Sequence, residues 1–162
     1  AFAFWVMLID VGKGVAAVML VPALDVPWFA DEPPVARDWL TIACASAAIA
    51  GHVYPVWFQF RGGKGAATFL GTLLGMHPQL LVPVLATWLI VVMLSGYVGL
   101  GTIFSGLALP AYVYWAYSPV PAALMTFGVC VALFLMVTHR GNIARMLRGE
   151  EHRAQKLWLL RR

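Results

Sequence analysis

Long apolar runs alternate with short polar breaks along this chain. Most of the runs approach the length that crosses a bilayer, about 20 residues at about 1.5 Å each for about 30 Å of hydrocarbon. Residues 1–22 read as a first span. The stretch 24–37 reads as a loop in water, because Asp25, Asp31 and Glu32 are charged and Pro33-Pro34 breaks a helix. A second span covers 38–51, where Ala-Cys-Ala-Ser-Ala-Ala-Ile-Ala permits close helix contact. Residues 66–76 are too few to cross as one ideal helix. They form either a half-helix buried by its neighbours or a span that borrows the residues before it. His77-Pro78 ends that segment, and the next apolar runs are 79–94, 102–117 and 122–138, separated by a Gly-rich turn over 95–101 and a Pro turn over 118–121. Residues 139–151 read as a short interfacial helix with cations on one side, followed by the basic tail 153–162. The pattern predicts an all-α, polytopic helical membrane bundle of about six membrane segments with short interfacial helices. All of it belongs to a single integral membrane domain over residues 1–162.

Composition agrees with the pattern. The chain has 162 residues, 62% hydrophobic and 11% charged, with a mean hydropathy of +0.82, far from the balance of a soluble domain. The strict alternation of an outer-membrane barrel strand is absent. The formal charge is +4, and its placement says more than its sum. If the turn carrying Arg61 and Lys64 is cytoplasmic, segment counting puts the 95–101 turn and the 139–162 tail on that same face and the acidic loop outside. Every Lys and Arg except Lys13 and Arg37 then lies inside. Basic residues that coincide with span ends are a poor footprint for nucleic acid. Cys44 and Cys130 sit in apolar runs without CxxC spacing and read as packing residues. No set of His, Cys, Asp and Glu has metal-ligand spacing, and no G-x-S-x-G elbow is present. The chemistry therefore calls for no metal, no cofactor and no acyl-enzyme intermediate. The opening AFAFWVMLID lacks a basic n-region and is no signal peptide. Its start within an apolar run leads us to expect further residues before Ala1.

Candidate chemistry concentrates in GHVYPVWFQFRGGKGAAT, residues 51–68. Gly62, Gly63 and Gly65 are free to take positive φ, so that successive backbone N–H groups could converge on an anion beside Arg61 and Lys64. The helix opening at Ala66 would add its unpaired N–H groups to the same site. The nucleotide P-loop pattern fits badly, with Gln59 where its first glycine belongs and Gly65 after the lysine. Two readings stand level: an anion site, or a tight connection anchored at lipid headgroups. A second cluster, His139-x-x-Asn142-x-x-Arg145, aims imidazole, carboxamide and guanidinium in roughly one direction. Such a set suits general base or oxyanion work beside an anion site, and it equally suits a headgroup anchor with a capping Asn. Lys13 lies three residues from Asp10 inside the first span, either as a neutralised structural pair or as a cation reaching an anion. His52 at the end of the second span either binds substrate or caps structure. His77 falls on the opposite face and His152 in the solvated tail. An anion site at a broken helix also suits a membrane transporter or channel for a phosphorylated solute. Against that alternative, no second half resembles the first, and the polar residues group at one face instead of the midplane.

Three stretches occur in order: Asp10-x-x-Lys13-Gly14; Gly51-His52-x-x-Pro55-x-x-x-x-Phe60-x-Gly62-Gly63-Lys64-Gly65-x-Ala67-Thr68; and His139-x-x-Asn142-Ile143-x-Arg145-x-x-x-Gly149 followed by Glu150 and Glu151. Together they resemble the bacterial acyl-phosphate:glycerol-3-phosphate acyltransferase family, PlsY, from the first span to the tail. The resemblance implies a seven-span inner-membrane enzyme with its site on or near the cytoplasmic face. It moves a fatty acyl group from acyl phosphate to the 1-hydroxyl of sn-glycerol 3-phosphate, giving lysophosphatidic acid and phosphate. It further implies substrate-phosphate binding at Lys64 and catalytic roles for His139 and Asn142. Gly62, Gly63, Gly65, Arg61, Thr68, His52, Arg145 and Lys13 join Lys64 as candidate substrate-binding residues. The implied partners are acyl phosphate, glycerol 3-phosphate, membrane lipid and a soluble acyl-phosphate-producing enzyme. The family pattern also has a Gly-Ser-x-Pro-type motif and a Gly-x-Asn-x-Gly-Ala-type loop ahead of the stretches above. Neither precedes Ala1, so the sequence is expected to be N-terminally incomplete.

Overall fold

The computed structural model describes residues 2–24 and 34–160. The acidic loop residues Asp25, Asp31, Glu32 and Pro33, and the tail residues Arg161 and Arg162, lie outside the described residues. The chain forms α1 (Phe2–Leu20), α2 (Pro34–Val53), α3 (Ala66–Met76), α4 (Leu81–Ser95), α5 (Val98–Ala116), α6 (Ala122–Thr138) and α7 (Arg140–Leu147). Single 3₁₀ turns at Val56–Phe58 and Pro78–Leu80 lead towards α3 and α4. It is an all-α polytopic membrane bundle: among the described residues, α1, α2, α4 and α5 supply four segments long and apolar enough to cross. A fifth arises if α6 and α7, bent by 54°, are taken as one span.

The short helix α3 is the centre of the bundle. Phe69 and Leu73 are buried, and so are Thr68 and Thr72, which an isolated crossing helix would present to lipid. Glycines bring α1 against it backbone to backbone. A Cβ on Gly14 would sit 2.5 Å from the Thr68 carbonyl oxygen, and one on Gly71 would sit 2.1 Å from that of Val11. Without a hydrophobic force between helices in lipid, such close approach is what holds two of them together. Residues 66–76 form one short helix buried by its neighbours. Phe69, Phe127, Leu73, Leu109 and Leu135 then fill the space between α3, α5 and α6.

Two boundaries differ from the sequence pattern. Helix α2 starts at Pro34, four residues before the predicted Asp38. Proline is tolerated in a first helical turn, where its missing N–H would have had no partner. The predicted turn over 95–101 contracts to Gly96 and Tyr97, with Gly96 (φ +79°) capping α4 and donating to Val92 O at 2.8 Å. Gly99 and Gly101 are helical, because they serve contact and not bending. A Cβ on Gly99 would meet Asn142 Cβ at 2.9 Å, and one on Gly101 would meet Val92 Cγ2 at 2.7 Å.

Gly71→Ala should push α1 off α3 and lower stability in detergent by about 1–3 kcal/mol, the usual cost of overpacking. Gly12→Ala, with no atom within 4 Å of the added methyl, should leave the thermal midpoint unchanged or raised. Equal midpoints for the two variants would refute the backbone contact.

Candidate active site

The turn between α2 and α3 is held from both sides. Gly62 N–H donates to Val53 O at 3.0 Å and Gly63 N–H to His52 O at 3.2 Å, satisfying carbonyls at the end of α2. A Cβ on Gly62 would lie 2.0 Å from His52 O, and one on Gly63 would lie 2.0 Å from His52 Nε2. Of the three glycines only Gly65 takes a positive φ, +88°. The expected convergence of all three glycine N–H groups on an anion is therefore corrected. Gly62 and Gly63 are small so that the turn can close onto α2, and their N–H groups are engaged. What remains for an anion is the first turn of α3, where the N–H groups of Ala66 and Ala67 have no hydrogen-bond partner among the described residues. Two non-glycine residues just before the turn, Gln59 (φ 54°) and Phe60 (φ 59°), are left-handed. Phe60 N–H donates to Pro55 O at 3.0 Å there.

Across this turn stands the bend between α6 and α7. Thr138 Oγ1 lies 3.0 Å from the Lys64 carbonyl oxygen, to which it donates, and 3.2 Å from His139 Nδ1. His139 is buried, with Nδ1 2.9 Å from Leu135 O. A carbonyl only accepts, so the proton sits on Nδ1 and a neutral ring keeps Nε2 as its base. Asn142, also buried, accepts from Lys64 Nζ at 2.6 Å through Oδ1 and donates through Nδ2 to Glu151 Oε1 at 2.5 Å. The other carboxylate oxygen accepts from Arg145 Nε at 2.6 Å. Glu151 thereby fixes which end of the carboxamide faces Lys64. Burial pushes the Glu151 carboxyl up, but the hydrogen bonds from Arg145 and Asn142 with the charges of Arg145 and Lys64 outweigh it, leaving it below the usual glutamate range.

The third wall belongs to α1 and α2. Lys13 Nζ lies 2.7 Å from Asp10 Oδ1 and 2.5 Å from His52 Nδ1. The same Nδ1 lies 3.2 Å from Asp10 Oδ1, so the His52 ring sits between an ammonium that donates and a carboxylate that accepts. The charge carried inside the span is thus neutralised, as the structural reading of Asp10 and Lys13 expected, with His52 as a third member.

All three walls face one cavity of about 810 Å³. Lys13, His52, Arg61, Gly62, Gly63, Lys64, Gly65, His139 and Asn142 line it, together with Asp10, Glu151, Gly99 and the opening residues of α3. Two candidates do not line it. Thr68 is fully buried on α3 with its hydroxyl unpartnered, and Arg145 reaches the site only through Glu151. Arg61, exposed at the cavity, has no side-chain partner among the described residues. Sequence reasoning assigned no role to Glu151, Thr138 or Gly99, and gave Asp10 only as the partner of Lys13. Glu150 and Glu151 were equivalent in the motif, and the structure separates them: Glu150 turns outward to pair with Arg148 at 2.7 Å. No group of three or more His, Cys, Asp and Glu positioned for a metal occurs among the described residues.

The fold and cavity define a polytopic membrane protein with a cavity lined by Lys13, Arg61 and Lys64 among its helices. A family model described as glycerol-3-phosphate acyltransferase matches residues 1–149, and the chain belongs to that family. It is 41% identical over 151 residues to the glycerol-3-phosphate acyltransferase of Proteus mirabilis, covering 91% of this chain and 62% of the relative. It is 40% identical over 154 residues to that of Photorhabdus laumondii, covering 94% and 62%. The chain thus spans less than two thirds of the length of these relatives. Among solved structures it resembles PlsY (YgiH), described as an integral membrane glycerol 3-phosphate acyltransferase. The lysophosphatidic acid form superposes with a TM-score of 0.77 at 27% identity, over 96% of this chain and 75% of that one. The glycerol 3-phosphate form gives 0.74 at 26%, over 94% and 70%.

Because its folded-state pKa is depressed, Glu151 contributes stability that is complete above the ordinary glutamate pKa of about 4.3 and is lost as pH falls through its lowered value. The thermal midpoint of Glu151→Gln should therefore lie below wild type at neutral pH, with the gap closing only in acid below about pH 4.3. A gap independent of pH would refute an ionised anchor.

Proposed function

We propose that this chain transfers a fatty acyl group from acyl phosphate to the 1-hydroxyl of sn-glycerol 3-phosphate, releasing lysophosphatidic acid and inorganic phosphate. This is the first acylation of phospholipid synthesis. The observation that carries the reading is the convergence of Lys64, Arg61, the α3 N-terminus, His139 and Asn142 on one cavity within a bundle of this family. The hydroxyl oxygen attacks the acyl carbon, an ester C–O bond forms, and the bond from the acyl carbon to the phosphate oxygen breaks with its electron pair leaving on phosphate. Acyl phosphate is already activated, so orientation and charge stabilisation supply most of what the step needs.

Lys64 and the α3 N-terminus hold substrate phosphate, and unpaired Arg61 receives a second anion. Substrate phosphate takes the hydroxyl proton while His139, through Nε2, holds the hydroxyl in line and Asn142 orients the phosphate that Lys64 binds. Gly65 gives phosphate its close approach, Gly62 and Gly63 shape the wall with His52, and Lys13, paired with Asp10, holds His52 in that wall. Thr68 and Arg145 act from behind, Thr68 in the packing of α3 and Arg145 through Glu151. We read residues 1–162 as one acyltransferase domain with six membrane segments, α3 being the half-span. It lies in the bacterial inner membrane with the site at the cytoplasmic side, where a soluble enzyme delivers acyl phosphate.

Detergent-purified protein should form lysophosphatidic acid from palmitoyl phosphate and glycerol 3-phosphate. Lys64→Ala should lower turnover by about 10²-fold, as loss of one charge-stabilising donor does elsewhere. Full turnover by His139→Ala would remove that residue from the mechanism. Uptake of glycerol phosphate into liposomes without acylation would instead support a transporter.

A further inference from the structure

The C-terminal segment beyond α7 is not a free basic tail. Gly149 (φ +72°) turns the chain, and residues 150–160 run back as a strap over the junction of α4 and α5. Ala154 N–H donates to Gly96 O at 2.8 Å and Leu159 N–H to Met93 O at 2.9 Å. Between these bonds the Arg153 guanidinium lies 4.8 Å from the Tyr97 ring centre and 4.1 Å from that of Trp158, a cation held between two aromatic rings. The approach is close enough to require glycine beneath it. A Cβ on Gly96 would sit 3.1 Å from both Arg153 Cβ and Trp158 Cγ. Two residues before Arg153, the same strap carries Glu151 into the cavity. The match to the family model stops at residue 149, so the strap's side of these contacts lies beyond it while Met93, Gly96 and Tyr97 lie within it.

We propose that Arg153 is a positioning residue for the site, fixing the strap to the α4–α5 junction so that Glu151 stays against Asn142. Two hydrogen bonds accepted by the carboxylate do not by themselves offset the chain entropy lost in ordering the strap. The ring-cation-ring contact and the two backbone bonds supply the rest. Arg153 touches no cavity atom, and its effect reaches the site only through Glu151. A released strap leaves the Asn142 carboxamide free to turn, with Lys64 losing its fixed acceptor.

Asn142 is the only asparagine in the chain, which gives the proposal a direct test resting only on the geometry. Protein labelled with [15N]asparagine has a single carboxamide signal pair, and the bond to Glu151 should spread its two proton shifts. Glu151→Ala should collapse that spread. Arg153→Ala should move the pair most of the way to the Glu151→Ala position, while Arg153→Lys, which keeps a cation between the rings, should stay near wild type. Arg153→Ala added to Glu151→Ala should change nothing further. A pair in Arg153→Ala that superposes on wild type would overturn the proposal. If that variant does not fold, Tyr97→Leu and Trp158→Leu, each removing one ring, carry the same expectation.

The kinetic arm rests on the acyltransferase reading. Arg153→Ala should lower kcat about tenfold with Arg153→Lys restoring it, and should have no effect in the Glu151→Ala background, since residues acting through one contact are not additive. Equal losses in both backgrounds would overturn the coupling. A wild-type protein without acylation would count against the acyltransferase reading, and the carboxamide signal would still decide the role of Arg153.

Discussion

A charge taken into a membrane bundle must find an opposite charge, a hydrogen-bond chain or a ligand, and the site is built on that requirement. Lys13 is answered by Asp10 and His52 within the α1–α2 contact. Lys64 is answered by Asn142, then Glu151, then Arg145, a relay from the turn after α2 to the chain beyond α7. Neither relay consumes Arg61 or the opening N–H groups of α3. Lys13 and Lys64 are thus partnered within the protein, while Arg61 lines the same cavity without a side-chain partner among the described residues.

The helices supply this arrangement by where they end. Helix α2 stops at Val53 and hands its terminal carbonyls to Gly62 and Gly63, while α3 starts at Ala66 with its first N–H groups facing the cavity. A short helix is useful here because its first residues, Ala66 and Ala67, line the cavity. Glycines against α1 make so short an element tolerable, since the backbone contact replaces the length that would otherwise hold it in the bilayer. The bend between α6 and α7 performs the matching task from the other side, carrying Thr138 and His139 to the turn and Asn142 beyond it.

Much of the fold was legible in the sequence. The bounds of α3 and α6 follow directly from apolar runs closed by Gly65, His77-Pro78, Pro121 and His139. The grouping of the 51–68 and 139–151 stretches at one end followed from segment parity alone. What escaped had one physical origin: glycine in a membrane bundle marks close approach as often as a turn. Gly99 and Gly101 therefore looked like a loop and proved helical, and Gly62 and Gly63 looked like an anion nest and proved to be seats for α2. The role of Glu151 was not readable, because its choice over Glu150 depends on where Gly149 points the chain. Thr138 was similarly hidden, since a threonine ending an apolar run has no sequence signal for the distant carbonyl it meets.

The glycine seam between α1 and α3 has a thermal consequence. Its formation displaces lipid tails, not water, so it gains dispersion without the hydrophobic effect. A contact of that kind carries little heat-capacity change and does not weaken on cooling as burial from water does. The seating of α3 against α1 is accordingly insensitive to cold and holds its register as the surrounding bilayer stiffens.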